Sequence, residues 1–240
     1  AVYSRMRTLS KAIRPILCCI AATGAAEGWA DGANSLTLNT TVKTTGVALY
    51  GTDYEAPFAS DWEGLGAGRL RFSLSGYVGR QVSVQLDYEH SFRWESDSGS
   101  AMAGGLVPGD NDPPYRLAPL YDELQDAEGT AWFHELDRAV VAFHPDWGEV
   151  RLGRQAVGLG RGRLFHAVDI FAPFSPTDVD REWRRGVDAV RAEIRLSRTT
   201  SAEVILVGGE SWDDSAVVVR GRGYLGEVDA EILGGKRAED

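Results

Sequence analysis

The chain has 240 residues, 43% hydrophobic and 25% charged, a composition that excludes an intrinsically disordered chain and a helical membrane protein. No run of about 18 apolar residues exists, so no transmembrane helix is present, although membrane strands, which are only half apolar, remain open. The net charge of −10 argues against a nucleic-acid partner, because phosphate affinity comes from cationic surface.

The first 30 residues read as upstream residues plus a cleavable secretory leader. Met6 is the start; Arg7, Lys11 and Arg14 form a basic segment, 16–26 an apolar core, and Gly28 and Ala30 a small-residue exit. A short buried helix is the alternative, disfavoured by Pro15. Both cysteines, Cys18 and Cys19, lie in this segment, so a chain cleaved after Ala30 has none to form disulfides in an oxidising compartment. Cleavage removes four bases and one acid and takes the net charge from −10 to −13.

Residues 31–240 are dominated by period two. In "QVSVQLDYEHSFRW" (81–94), Val82, Val84, Leu86, Tyr88, His90, Phe92 and Trp94 alternate with Gln81, Ser83, Gln85, Asp87, Glu89, Ser91 and Arg93. That spacing puts the two sets on opposite faces of one strand. Similar patterns predict strands over 36–50, 69–78, 137–144, 150–155, 187–196, 202–207, 216–223 and 227–234, nine in all. The connections alternate: 51–65, 95–130 and 156–186 are long and 208–215 is medium, whereas 79–80, 145–148, 197–200 and 224–226 are short. An antiparallel meander with tight turns at one end and open loops at the other has this rhythm, as outer-membrane barrels do. The fold class expected is therefore all-β, an antiparallel up-and-down transmembrane β-barrel, with a soluble β-domain as the alternative. Nine strands are odd in number and "GGKRAED" reads as a loop after the last, so the expectation is the N-terminal part of a longer barrel.

Face chemistry agrees. Arg191, Glu193 and Arg195 share a parity, as do Arg220 and Arg222, and these five are expected to line a wet lumen. Tyr77, Trp94, Trp132, Trp147 and Tyr224 fall near strand ends, where interfacial aromatic girdles sit.

Motifs for chemistry are weak. "GLGRGR" (158–163) lacks the third glycine and helix of a dinucleotide loop, and "HELDR" (134–138) has Arg138 where a zinc protease needs its second His. "GDNDPP" (109–114) does not match a calcium loop and reads as solvated acidic surface. Neither a metal nor a cofactor is expected, no catalytic residue is assigned, and the chain is not expected to be an enzyme. A Ser-His-Asp site could still assemble in space, but nothing in the sequence selects one.

The densest stretch is "FAPFSPTDVDREWRRGVDAVR" (171–191), whose "SPTD" resembles a helix-capping box ahead of one or two turns ending by Gly186. It reads either as a salt-bridged plug at the barrel mouth or as a constriction. In the constriction, Arg161, Arg163, Arg181, Arg184 and Arg185 would attract anions, and Asp169, Asp178, Asp180 and Glu182 would form the opposing wall.

The run from Arg151 to Glu193 resembles proteobacterial outer-membrane porin-like barrels, broadly similar to the alginate-export type of channel. The shared pattern is Gly153-Arg154-Gln155, a glycine-rich exit, the "DIFAPFSPTD" loop and a Gly186–Arg191 re-entry. Leu159 stands where an aromatic is expected and His166 where Asn is, and the match covers about 40 residues. The resemblance implies an outer-membrane location with a periplasmic N-terminus, contact with outer-membrane lipid and lipopolysaccharide, and passage of small hydrophilic, in part anionic, solutes. By analogy with the inward third loop of general porins, 156–186 is expected to fold inward. A non-conducting scaffold barrel and an outer-membrane hydrolase are the other classes left open.

Overall fold

A computed structural model describes residues 16–25, 28–50, 62–96, 115–127, 129–159, 171–172, 184–226 and 228–237. Every regular element among them is a strand: β1 (Ile16–Ala25), β2 (Trp29–Asp31), β3 (Asn34–Tyr50), β4 (Trp62–Val78), β5 (Val82–Glu95), β6 (Tyr121–Ala127), β7 (Thr130–Phe143), β8 (Gly148–Gln155), β9 (Val187–Arg195), β10 (Ser201–Val207), β11 (Ala216–Leu225) and β12 (Val228–Arg237). They form one antiparallel sheet in the order β1-β3-β4-β5-β7-β8-β9-β10-β11-β12, with β2 added to β3 and β6 added to β7.

All nine expected strands are present, and the order is the sequential meander that the connection lengths implied. The strand count is corrected to twelve. β6 escapes a pattern reading because it pairs with β7 alone and is acidic, "YDELQDA". Residues 16–25, expected as the core of a leader, run as β1 along Asn39–Ala48 of β3, and β2 spans the expected cleavage position at Ala30. Among the described residues no pairing joins β1 to β12, so the sheet is open.

The short connections lie at one end of the meander and the long ones at the other. At the short end Gly79 adopts φ 72°, a conformation open to glycine at little cost, and its N–H donates to Asn34 Oδ1 at 2.8 Å. That bond ties the β4–β5 turn to the start of β3.

The two faces of the sheet differ: one buries matched charges on β4, β5 and β7 and an apolar patch on β9, β10 and β11, and the other exposes apolar side chains. One face, called inner here, buries Arg71, Asp87, Glu89, Glu135, Glu203 and Arg220. The opposite, outer face exposes Leu38, Val78, Leu86, Phe92, Val141, Leu152, Val190, Leu206 and Val219, one or more from each main strand from β3 to β11. Register enforces the segregation: Arg71 stands opposite Glu89 on the inner face, while Leu74 opposes Leu86 on the outer. Of the expected girdle aromatics, Trp94 and Trp132 lie on the apolar parity. Tyr77 and Tyr224 instead share the parity of the charged residues, opposite Ser83 and Asp229.

β8 is only eight residues long and leaves β7 unpaired beyond Ala139. The segment 115–127 takes its place in the wall. β6 pairs with β7 up to Thr130, Leu136 N–H donates to Leu120 O at 2.9 Å, and Asp188 N–H donates to Tyr115 O at 2.9 Å. Residues 156–159, after β8, thereby leave the wall, with Val157 and Leu159 buried.

Candidate functional site

The inner face of β4, β5 and β7 carries a compact ionic cluster. Arg71, only 3% exposed, donates to Glu89 Oε2 at 3.0 Å, Asp87 Oδ2 at 2.8 Å and Asp137 Oδ2 at 2.7 Å. Arg69 Nε lies 3.1 Å from Glu89, and Arg116 Nη1 lies 3.1 Å from Glu135. Arg138 Nε stands 3.5 Å from Asp87 and 3.6 Å from Asp137. Four arginines thus face four carboxylates, which is how so many charges can share one buried patch: an unmatched ion there would cost several kcal/mol, about 3–5 when a partner is removed.

A β-bulge makes this cluster possible. Between Asp87 and Tyr88 the register against β7 slips by one residue, so Asp137 and Arg138, adjacent in sequence, both reach the inner side. Regular pleating would send one of them outward.

The bulge also receives the returning end of the 156–186 segment. Gly186 N–H donates to Asp137 Oδ1 at 2.8 Å, Arg116 Nε donates to Gly186 O at 3.0 Å, and Arg138 Nη2 donates to Arg184 O at 3.2 Å. A Cβ at Gly186 would stand 2.0 Å from Asp137 O, so only glycine fits this approach. Arg184 itself points back into its own segment: Nη1 donates to Ala172 O at 3.3 Å, and its guanidinium lies beside Gly158. Arg185 is half-buried next to it. The other seven expected constriction residues, Arg161, Arg163, Asp169, Asp178, Asp180, Arg181 and Glu182, lie outside the described residues, as do the "SPTD" turn and "GDNDPP".

The described inner parts of that segment lie on apolar wall. Val157, Leu159, Phe171 and Ala172 join Tyr115 against Val187 and Ala189 of β9, Ile205 and Val207 of β10, and Ala216 and Val218 of β11. Tyr115 and Phe171 meet edge to face at 5.2 Å. Where β8 ends, Arg154 clamps Asp188 through two bonds of 3.0 Å and also donates to Ala118 O and Leu136 O, fastening the substituted wall.

Nearer the short turns, the expected lumen residues form a second cluster on β9, β10 and β11. Glu203, 2% exposed, is its centre: Arg191 Nε donates at 2.9 Å and Arg220 Nε at 2.8 Å. Arg222 Nη2 stands 3.7 Å from both Glu203 and Glu193. Arg195 has a different task, donating to Pro145 O at 3.2 Å and Asp146 O at 3.3 Å across the β7–β8 turn. Sequence reasoning missed Glu203, whose parity with Ile205 and Val207 concealed it in a strand that otherwise reads as apolar, and it assigned no role to the Arg71 cluster on β4, β5 and β7.

No protein-family model, curated protein or solved structure matches the chain.

Proposed function

We propose that this chain forms part of the wall of a porin-like outer-membrane channel for hydrophilic solutes, with segment 156–186 held against the inner wall as its constriction or plug. The observation that carries the proposal is the exposed apolar outer face, set against an inner face that buries matched ions. A contiguous sheet face with this much exposed apolar area is far larger than the patches that water-soluble monomers tolerate. Lipid is the solvent that accepts it, while the matched ions face a polar interior.

Dimensions support the same reading. On β5, the outer face from Val82, beside Phe143, to Phe92, beside Trp132, spans roughly ten residues. At about 3.3 Å per residue and a tilt of about 40°, that is about 25 Å, the height of the apolar band of such barrels. At the long-loop end the outer face gathers Tyr88, His90, His134 and Trp132, with Tyr88 Oη 2.7 Å from His134 Nδ1. The bonds from Tyr88 to His134 and from Trp132 Nε1 to His90 Nδ1 pair these polar ring atoms with one another within the span. In hydrocarbon the edges of the sheet must be paired, by further strands or by another copy, since unpaired backbone groups cost several kcal/mol each.

The groups that would draw anions are Arg191, Arg220 and Arg222 of the second cluster, gathered around Glu203 with Glu193 nearby and Glu231 opposite Arg222 in register. The dense apolar packing under 157–172 favours a second reading, a non-conducting scaffold barrel. Reconstitution into liposomes and planar bilayers separates these. Discrete, anion-selective conductance steps whose selectivity falls in Arg222→Gln are expected for the channel. Insertion without conductance leaves the scaffold, and failure to insert removes the membrane reading altogether.

A further inference from the structure

We propose that Ser83, His144 and Glu149 form a nucleophilic site for hydrolysis of small carboxylic esters at the short-turn end of the inner face. Ser83 Oγ lies 2.8 Å from His144 Nε2, and His144 Nδ1 lies 3.0 Å from Glu149 Oε2. The three residues come from β5, the β7–β8 turn and β8. Ser83 opposes Ala142 and Glu149 opposes Glu193, both on the inner parity, so the site is on the charged side of the wall.

The direction of the hydrogen bonds is fixed by charge. Arg151 Nε donates to Glu149 Oε1, leaving Oε2 as the acceptor for His144. Nδ1 therefore carries the imidazole proton, Nε2 is the acceptor, and Ser83 Oγ is the donor. This is the tautomer that general-base activation of a serine requires. The backbone holds the ring in place, with His144 N–H donating to Gln81 O at 2.7 Å, and the Tyr77 ring lies 5.9 Å from it. About a quarter of the His144 and Glu149 side chains is exposed, so a substrate can reach the pair.

In the reaction, the bond from Ser83 Oγ to the ester carbonyl carbon forms as the Oγ proton passes to His144 Nε2. The carbonyl electron pair moves to oxygen and returns as the bond to the alkoxide breaks, and Nε2 gives its proton to the departing alcohol. Water, deprotonated by Nε2, then attacks the acyl carbon, the acid leaves, and Ser83 regains its proton. Glu149 and Arg151 act as positioning residues, holding the imidazolium that forms in between.

The test uses detergent-solubilised protein whose sheet content is verified by circular dichroism. It does not depend on conductance, so its failure is distinguishable from failure of the channel reading. A fluorophosphonate should phosphonylate Ser83, with fluoride leaving, and peptide mass spectrometry should place the adduct there. Hydrolysis of p-nitrophenyl acetate should fall by about 10²–10⁴-fold in His144→Asn, the usual contribution of a general base. Ser83→Ala should abolish the adduct; Glu149→Gln should lower kcat with KM little changed, and Glu149→Asp should restore part of it. An unlabelled Ser83 in folded protein, or equal labelling in folded His144→Asn, would overturn the proposal and leave the three residues as a hydrogen-bonded strut.

Discussion

On β4, β5 and β7 the inner face holds the 184–186 return with ions, whereas on β9, β10 and β11 it holds 157–159 and 171–172 with apolar side chains. Both patches fasten the same excursion of the chain, at its two ends. The ionic patch is directional: Asp137, Arg116 and Arg138 each bond a stated backbone atom, which fixes where the return lies to within a hydrogen bond. Such clusters contribute little net stability compared with apolar replacements, because desolvation offsets attraction. The apolar patch has no directional bonds but contributes stability through the area it removes from water. One end of the segment is therefore positioned and the other anchored.

Four substitutions sharpen or break this contrast. Arg71→Ala should have the largest effect, about 4 kcal/mol, because Asp87, Glu89 and Asp137 all lose a buried partner. Urea unfolding followed by tryptophan fluorescence measures it, and a loss below about 1 kcal/mol would mean the patch is wet rather than buried. Phe171→Ala should cost about 3 kcal/mol in the same assay, through the cavity left beside Tyr115. A comparable cost with unchanged single-channel conductance would show that the anchor does not set the pore.

Leu206→Arg, on the outer face, should cost about 2 kcal/mol in a bilayer and almost nothing if that face meets water. Folding titrations in liposomes and in aqueous buffer distinguish the two. Arg222→Ala should be the mildest, below about 1 kcal/mol, since its pairs are 3.7 Å long and partly exposed. A larger loss would place Arg222 in the rigid Glu203 cluster rather than at its edge.

The contrast was only partly legible in the sequence. Alternation located all nine main strands, and loop lengths gave their order, because period and turn length are local properties. Pairing partners are not local: Arg71 and Asp137 are 66 residues apart, and only the register across β5 brings them together. Alternation over β7 starts at Asp137, whereas the strand begins at Thr130. The reason is the bulge, where two adjacent charges interrupt the parity and make one long strand look like a loop followed by a short one. That interruption was the available signal, "HELDRAVVAF" with its alternation reset at Asp137–Arg138. β4 was similarly cut short, since Gly64, Gly66 and Gly68 leave one parity of its first half without side chains. An inward 156–186 is expected from resemblance alone, and the residues of it buried against the wall, Val157, Leu159 and Phe171, form no periodic pattern.

The Asp137–Arg138 bulge also has a kinetic consequence. Its contacts close loops of 49 residues to Gly186 and 66 to Arg71, and the bond from Arg116 to Gly186 spans 70. Hairpins such as β4–β5, joined by a three-residue turn, close far shorter loops and so form first. The bulge can recruit the return only after β4, β5 and β7 are in register, which makes docking of the 184–186 return a late event. Weakening it should accelerate unfolding while leaving the folding rate nearly unchanged. The strength of the bulge would thus set how long the folded segment stays in place once docked.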